Sequence, residues 1–239
     1  MSAITLSVVS HGQNALVNQF LGDVARLARA DLRLILTQNY PDAVPIAGAG
    51  SGAQVIVNEQ PKGFGANHNA AFRHCDSPYF CVANPDVRLV QDPFPALVAA
   101  LQRDRAAVAG PRVCDPAGRV EDSARRFPTV AGLLRKLVAG PAGPDYPFDQ
   151  GPREVDWVAG MFMLFRSEAF RAAGGFDERF FLYYEDVDLC ARLRQRGYAC
   201  LYQPDSTVIH DARRASRRNL RLMGIHTASA LRYLTRRYG

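Results

Sequence analysis

Short runs of β-branched and apolar residues, too brief to be helices, punctuate the first third of this chain and dictate its class of fold. "ITLSVVS" (4–10), "LRLILT" (32–37), "AQVIVNE" (53–59) and "PYFCVANPD" (78–86) each read as a strand. Between the first two lies "NALVNQFLGDVARLARA", in which Leu16, Phe20, Val24 and Leu27 recur at helical spacing. The turn-rich "NYPDAVPIAGAGSG" precedes the third strand, and "GFGANHNAAFRHC" opens a second helix before the fourth. The order is β-α-β-β-α-β. Near-continuous apolar strands alternating with helices predict an α/β fold with a mostly parallel central sheet covered by helices on both faces. With 239 residues and 48% hydrophobic content, the chain is large enough to bury one such core as a single domain.

The pattern continues with a helix in "PFPALVAALQRD", where Pro93 suits a first turn, and a strand in "AAVAGPRV". From Asp115 to Pro152 the chain is rich in Pro, Gly and Arg, with one amphipathic stretch, "TVAGLLRKLVAG". "VDWVAGMFMLFR" (155–166) then reads as one buried strand, "SEAFRAAGG" as a helix ended by Gly174 and Gly175, residues from about Glu185 to Gln195 as a helix, and "YACLYQPDSTVIHD" as a late strand. The last stretch, "ASRRNLRLMGIHTASALRYLTRRYG", alternates arginines with Leu220, Leu222, Ile225, Leu231 and Leu234, which predicts a basic amphipathic helix broken near Gly224.

Several function classes are disfavoured. The longest uncharged apolar run, "WVAGMFMLF", falls short of the roughly 20 residues that span a bilayer. The opening "MSAITLSVVS" has no basic region ahead of a long apolar stretch, so it does not read as a secretory signal and the expected location is the cytoplasm. Five cysteines without a C-x-x-C pair argue against a disulfide framework or a zinc cluster. The net charge is +6 and the pI about 9.3, but residues 212–239 hold eight arginines and no acid, which leaves the rest of the chain slightly acidic. Basicity confined to one end, with no reading motif, argues against a nucleic-acid partner.

Chemistry concentrates in a few places. "FLYYEDVDLCARLRQRGY" sets Glu185, Asp186 and Asp188 behind an aromatic wall. On a helix starting there, Asp186 shares its face with Leu189, Cys190 and Leu193, the inward stripe, whereas Asp188 falls beside Arg192 as a solvated pair and Glu185 points nearly the same way. Asp186 is therefore either a structural cap or an acid facing a polar cleft. In "FCVANPDV", Asn84 and Asp86 follow the end of a strand, where open α/β sheets bind ligands; the residues are either a turn or a cation site. His210 ends a later strand, either as a structural residue or as a metal ligand beside Asp86. Gly63 and Gly65 lead into a helix and let backbone N–H groups approach phosphates, although neither a dinucleotide fingerprint nor a Walker motif is present. Arg125 and Arg126 either clamp a diphosphate or sit in water, and Trp157 is either core or a platform for a sugar ring.

In order and spacing, "SVVSHGQ", Asn58 with "KGFGANHN", "NPDV", "SARRFP", "VDWVAGMFMLFR", "GGFDERFFLYYEDVDLCARLRQRGY" and His210 resemble the inverting family 2 glycosyltransferases, in particular the rhamnosyltransferase-like branch of bacterial surface-polysaccharide synthesis. The resemblance spans residues 4–211. It implies a GT-A fold with a nucleotide-binding half (about 1–113) and an acceptor half (about 114–211), followed by the basic tail at 212–239. It also implies a nucleotide-sugar donor, with rhamnose from a dTDP donor the first choice, and a glycan or polyprenyl-diphosphate-linked acceptor. Ser10, His11, Thr37, Asn39, Asn58, Lys62, Gly63, Phe64, Asn67 and Asn84 would surround the donor, and Asp86 and His210 would hold Mg2+ or Mn2+. Trp157, Gly160, Tyr184, Arg125 and Arg126 would shape the acceptor pocket, and Asp186, with Glu185 beside it, would be the catalytic acid pair, Asp186 acting as base.

The chain departs from that family's pattern at two places: Asn84-Pro85-Asp86 stands where the family has D-x-D, and "LTQNYPD" replaces the usual aspartate after the second strand. The arginine tail suits either an anionic inner leaflet, worth about 1 kcal/mol per charge near the surface, or a solvated or homo-oligomer contact. The competing readings are a sugar nucleotidyltransferase, whose N-terminal glycine-rich phosphate loop "SHGQNALVN" lacks, and a membrane- or polyanion-binding module without catalysis.

Overall fold

The computed structural model describes residues 3–47, 52–140, 143–148, 150–211 and 220–238. Its first half realises the β-α-β-β-α-β order as β1 (Ile4–His11), α1 (Asn14–Arg26), β2 (Leu32–Tyr40), β3 (Gln54–Val57), α2 (Phe64–Phe72) and β4 (Tyr79–Ala83). β1 pairs in parallel with both β2 and β4, and β2 with β3, so all their C-terminal ends open on one edge of the sheet. There follow β5 (Val87–Arg88), α3 (Phe94–Leu101), β6 (Ala106–Cys114), β7 (Ala124–Arg125), α4 (Val130–Ala139), β8 (Arg153–Val155), β9 (Trp157–Val158), β10 (Phe162–Arg166), α5 (Ser167–Ala172), α6 (Glu185–Gln195), β11 (Ala199–His210) and α7 (Leu220–Tyr238). The main sheet runs β3-β2-β1-β4-β10-β6-β11-β5, with β8 also beside β11, and β7 and β9 form a separate two-stranded ladder. β10 is antiparallel to both β4 and β6 and so divides the parallel N-terminal strands from the rest.

Two apolar layers sandwich this sheet. On one face Leu6, Val8, Val17, Phe20, Phe94 and Leu97 pack under α1 and α3. On the other, Phe80, Phe165, Phe170, Phe176 and Phe180 interlock beneath α2, α5 and α6, with the Phe165–Phe170 and Phe170–Phe176 rings 5.0 and 5.4 Å apart. Each such buried ring stabilises the fold by about 1.5–3 kcal/mol. All five cysteines are free. No helix among the described residues is long and apolar enough to cross a membrane.

Two expectations are corrected. "VDWVAGMFMLFR" is not one strand but three pieces: β8 pairs with β11, β9 with β7 and β10 with β4 and β6. A uniform apolar run does not reveal that its parts face different partners, and here the break at 159–161 is used by the site. The terminal helix is unbroken at Gly224, because α7 runs along α6 and tertiary contact outweighs the roughly 1 kcal/mol cost of a helical glycine. Tyr233 of α7 is buried with its ring 5.7 Å from that of Tyr184, and Ser229 Oγ donates to the Leu182 carbonyl at 2.9 Å. Arg213, Arg214, Arg217 and Arg218 lie outside the described residues.

Candidate active site

The site is organised by the abrupt entry into α6. Tyr183 and Tyr184 both take left-handed backbone conformations, with φ of +69° and +68°. Two consecutive bulky residues there cost on the order of 1–3 kcal/mol each and persist only where the surroundings enforce them. The surroundings do so: Phe64 N–H donates to the Phe181 carbonyl at 2.9 Å, Ser229 holds Leu182, and the His226 ring packs 5.3 Å from both tyrosine rings. Gly63 is indispensable to this contact, since a Cβ on it would stand 2.6 Å from the Phe181 carbonyl oxygen.

The turn delivers Asp186 to the bend between β9 and β10. Gly160 N–H donates to Asp186 Oδ2 at 2.9 Å and Val187 N–H to Oδ1 at 2.8 Å, while a Cβ at position 160 would crowd Oδ2 at 3.4 Å. Burial pushes the Asp186 carboxyl above its ordinary range, opposed by those N–H groups and by the Arg125 charge. Glu185 is more deeply buried, with Oε2 unpartnered among the described residues, and burial together with the Asp186 charge drives its carboxyl well above the ordinary value. Burial raises both carboxyls, but only Asp186 has the Gly160 and Val187 N–H groups and the Arg125 charge favouring its ionised form.

The expected solvated face of α6 does not exist. Glu185 and Asp188 are both buried, and the Asp188–Arg192 pair, at 2.7 Å, has side chains only 4% and 12% exposed. The reason is tertiary: Arg236 of α7 reaches Asp188 at 3.1 Å, and α2 packs beside Glu185, where a Cβ on Gly65 would lie 3.9 Å from the Glu185 Cβ.

Asp186 lies in a cavity of about 560 Å³ that Arg125, Arg126, Trp157, Tyr183, Tyr184, Glu185 and His226 help to line. Trp157 is held as part of the wall, its Nε1 donating to the Arg126 carbonyl at 2.9 Å and Arg125 lying 5.5 Å over its ring. The sequence-predicted acceptor residues thus converge on Asp186. Tyr183, His226, Thr129 and Arg135 also line the cavity and were not anticipated; Tyr183 belonged to the noted aromatic wall, but His226 and Arg135 carried no local signal.

On the other side of the 159–161 bend, three asparagines knit the ends of β2, β3 and α2. Asn58 Nδ2 donates to Asn39 Oδ1 at 2.7 Å and to Asn67 Oδ1 at 2.6 Å, and Asn39 Oδ1 accepts the Lys62 N–H at 2.8 Å. Asn39 Nδ2 also meets His11 Nδ1 at 2.8 Å, so His11, Asn39, Asn58, Lys62 and Asn67 form one constellation. Ser10 and Thr37 are buried beneath it, and the Ser10 hydroxyl is spent on Asn14 at 2.6 Å. Phe64 packs on His68 and Phe176 rather than facing the loop.

Asn84-Pro85-Asp86 is both a turn and a possible cation site. Val87 N–H closes the turn on the Asn84 carbonyl at 3.2 Å, while Asp86 Oδ2 lies 3.4 Å from His210 Nε2. Glu121, another residue without a sequence signal, holds His210 Nδ1 at 2.8 Å and so orients the ring. Despite burial, which pulls the other way, Asp86 and Glu121 raise the His210 pKa. Asp86 Oδ1 is buried without a partner among the described residues, as an oxygen reserved for a hard cation would be. No group of three or more His, Cys, Asp or Glu side chains suited to a metal occurs among those residues, so Asp86 and His210 fit an ion whose remaining ligands come from phosphate and water. The Asn84 N–H donates to the Met161 carbonyl at 2.9 Å, so the bend that anchors Asp186 through Gly160 also anchors this motif.

A parallel N-terminal sheet joined through one antiparallel strand to the strands beside an acid-bearing pocket is the arrangement of a GT-A glycosyltransferase fold. The chain superposes on GalNAc-T7 solved with UDP, GalNAc and Mn2+ (TM-score 0.65, 14% identity, 89% of this chain and 44% of that one). It also superposes on the mannosyltransferase PcManGT from Pyrobaculum calidifontis solved with GDP-Man and Mn2+ (TM-score 0.62, 15% identity, 96% and 64%). Residues 2–227 match the family described as glycosyltransferase like family 2, and the chain belongs to that family. It is 35% identical over 184 residues to the N-acetylglucosaminyl-diphospho-decaprenol L-rhamnosyltransferase of Mycobacterium tuberculosis, covering 72% of this chain and 60% of that protein. It is 32% identical over 189 residues to the rhamnosyltransferase WbbL of Escherichia coli K12, covering 73% of this chain and 71% of WbbL. The matched region is thus well under two thirds of the mycobacterial relative's length.

Proposed function

We propose that this protein is an inverting glycosyltransferase that moves a sugar, rhamnose from a dTDP donor in the first instance, to a hydroxyl of a glycan or polyprenyl-diphosphate-linked acceptor in surface-polysaccharide synthesis. The rhamnosyltransferases at 35% and 32% identity support the sugar and the acceptor class. The carrying observation is Asp186: a carboxyl held by two backbone N–H groups on the wall of an aromatic cavity, next to a Glu185 carboxyl that burial and the Asp186 charge hold well above its ordinary range.

In this reading the acceptor hydroxyl enters the cavity against Trp157 and Tyr184 and gives its proton to Asp186. Its oxygen forms a bond to the anomeric carbon from the face opposite the nucleotide. The anomeric carbon–phosphate oxygen bond breaks, the nucleoside diphosphate leaves with the electron pair, and configuration inverts once. The asparagine constellation and the Lys62–Asn67 loop position the nucleotide and its phosphates. Asp86 and His210 would hold a divalent cation, which would supply positive charge beside the leaving diphosphate. Work on a lipid-linked acceptor would place the protein at the cytoplasmic face of the membrane, with its basic tail toward anionic lipid.

The test is dTDP release from dTDP-rhamnose with lipid-linked acceptor and Mg2+ or Mn2+. Release should require acceptor and metal, and Asp186→Asn should lower it at least about 100-fold while donor affinity persists. An Asp186→Asn enzyme turning over at the wild-type rate would refute the assignment.

A further inference from the structure

Three arginines line the cavity that holds Asp186, and they are not equivalent. Arg125 is already engaged: its Nε donates to the Asp122 carbonyl at 2.7 Å, pairs with the Asp122 carboxylate at 3.0 Å, and its guanidinium covers Trp157. Arg126 lies 5.5 Å over the Tyr146 ring, and among the described residues neither Arg126 nor Arg135 meets a carboxylate. Asp145, on the same wall, accepts the Arg126 backbone N–H at 3.1 Å and not its side chain. Both Arg126 and Arg135 are exposed to the cavity mouth. Two guanidinium forks without an ion-pair partner among the described residues thus share one cavity, and their planar donors match phosphate oxygens. The helices that contribute Arg135 and His226 to this cavity also expose apolar side chains: Val138 of α4 is 91% exposed and Met223 of α7 52%.

We propose that Arg126 and Arg135 form a subsite for a diphosphate carried by the acceptor, with the apolar chain of that acceptor leaving over α4 and α7. The proposal rests on the reading of Asp186 as base: the attacking hydroxyl occupies the Asp186 end of the cavity and the diphosphate the other. It also separates two anion sites, since the donor diphosphate belongs with Asp86, His210 and the Lys62–Asn67 loop. Arg125 is a positioning residue that steadies Trp157.

Trp157 is the single tryptophan and is hydrogen-bonded to the Arg126 carbonyl, so its fluorescence reports on this subsite without turnover. The full chain, free of divalent metal, is titrated with farnesyl diphosphate, with farnesol and with inorganic diphosphate. Farnesyl diphosphate should give a saturable change, and farnesol and inorganic diphosphate should each bind at least tenfold more weakly. Arg126→Gln and Arg135→Gln should each weaken farnesyl diphosphate about tenfold, or about 1.4 kcal/mol. Binding of dTDP in the presence of Mn2+, followed by thermal shift, should be the same in both variants as in the wild type. The proposal is overturned by the absence of a saturable change, by variants that bind farnesyl diphosphate like the wild type, or by farnesol or inorganic diphosphate matching it. A parallel loss of dTDP affinity would assign the arginines to the donor and overturn it as well. Because the titration reads binding alone, its failure leaves the role of Asp186 standing, and an inactive enzyme that still shows the arginine-dependent change would fail only as a transferase.

Discussion

Adjacent carboxyl groups at the start of α6 meet different electrostatic surroundings although they are only one residue apart. Both border the cavity, but Asp186 accepts from the Gly160 and Val187 N–H groups, whereas Glu185 is buried with Oε2 unpartnered among the described residues. Holding the Glu185 carboxyl above its ordinary value of 4.5 means that the folded state binds a proton the unfolded chain releases, so this residue costs stability as pH rises above that value. Glu185→Gln should therefore match the wild type near pH 4 and become the more stable protein toward pH 8, the gap in urea midpoint widening with pH. A gap that stays constant across that range would mean Glu185 is not held neutral. The same substitution should leave more activity than Asp186→Asn, since the amide keeps the shape of a neutral acid whereas position 186 loses its base.

At the scale of elements, α7 is locked to α6 by a charge network rather than by apolar contact alone. Asp177 meets Arg179 and Arg236, and Arg236 also reaches Asp188, which pairs with Arg192. Arg192 in turn donates to the carbonyls of Ala173 and Gly175 and so closes the end of α5. Hydrogen bonding from Arg179, opposed by burial and assisted by the Arg179 and Arg236 charges, holds the Asp177 carboxyl at about 2 instead of 3.8. A depressed carboxyl contributes stability that is complete above pH 3.8 and is lost as pH falls through about 2. Because the partner arginines are largely exposed, solvent trims the contribution to about 1–2 kcal/mol. Asp177→Asn should lower the unfolding free energy at pH 7 by that amount and flatten the acid limb between pH 4 and 2. An unchanged acid limb by circular dichroism would count against this network.

At the scale of the whole molecule, the proposed cation site draws on positions that local sequence keeps far apart. Asp86 follows β4, Glu121 lies between β6 and β7, and His210 ends β11; pairing of β11 with β5 and β6 brings them together. The bend at 159–161 ties this site to the acid, since Met161 accepts from Asn84 and Gly160 donates to Asp186. Asp86→Ala should leave the fold intact and abolish the extra thermal stabilisation that Mn2+ adds to donor binding. At a donor concentration 100-fold above Kd the wild-type gain is about 2.7 kcal/mol, so the loss is readily measured. Equal metal-dependent stabilisation in wild type and variant would return Asn84-Pro85-Asp86 to the role of a simple turn.

Local pattern was sufficient for the β-α-β-β-α-β frame, the mostly parallel sheet and the placing of Asp186 on the inward side of α6, because strand and helix periods are properties of neighbouring residues. It was also sufficient to mark Asn84, Asp86 and His210 as strand-end groups. It could not show that α7 reaches Asp188 or that α2 packs beside Glu185, and so it mistook both for solvated acids. Nor could it divide 155–166 among three partners or supply Glu121, Arg135 and His226, whose proximity to the site follows from sheet order and helix docking. The chain's own periodicity determined which elements form; only tertiary packing decided which charges lose their water, because burial depends on elements that lie far apart in sequence.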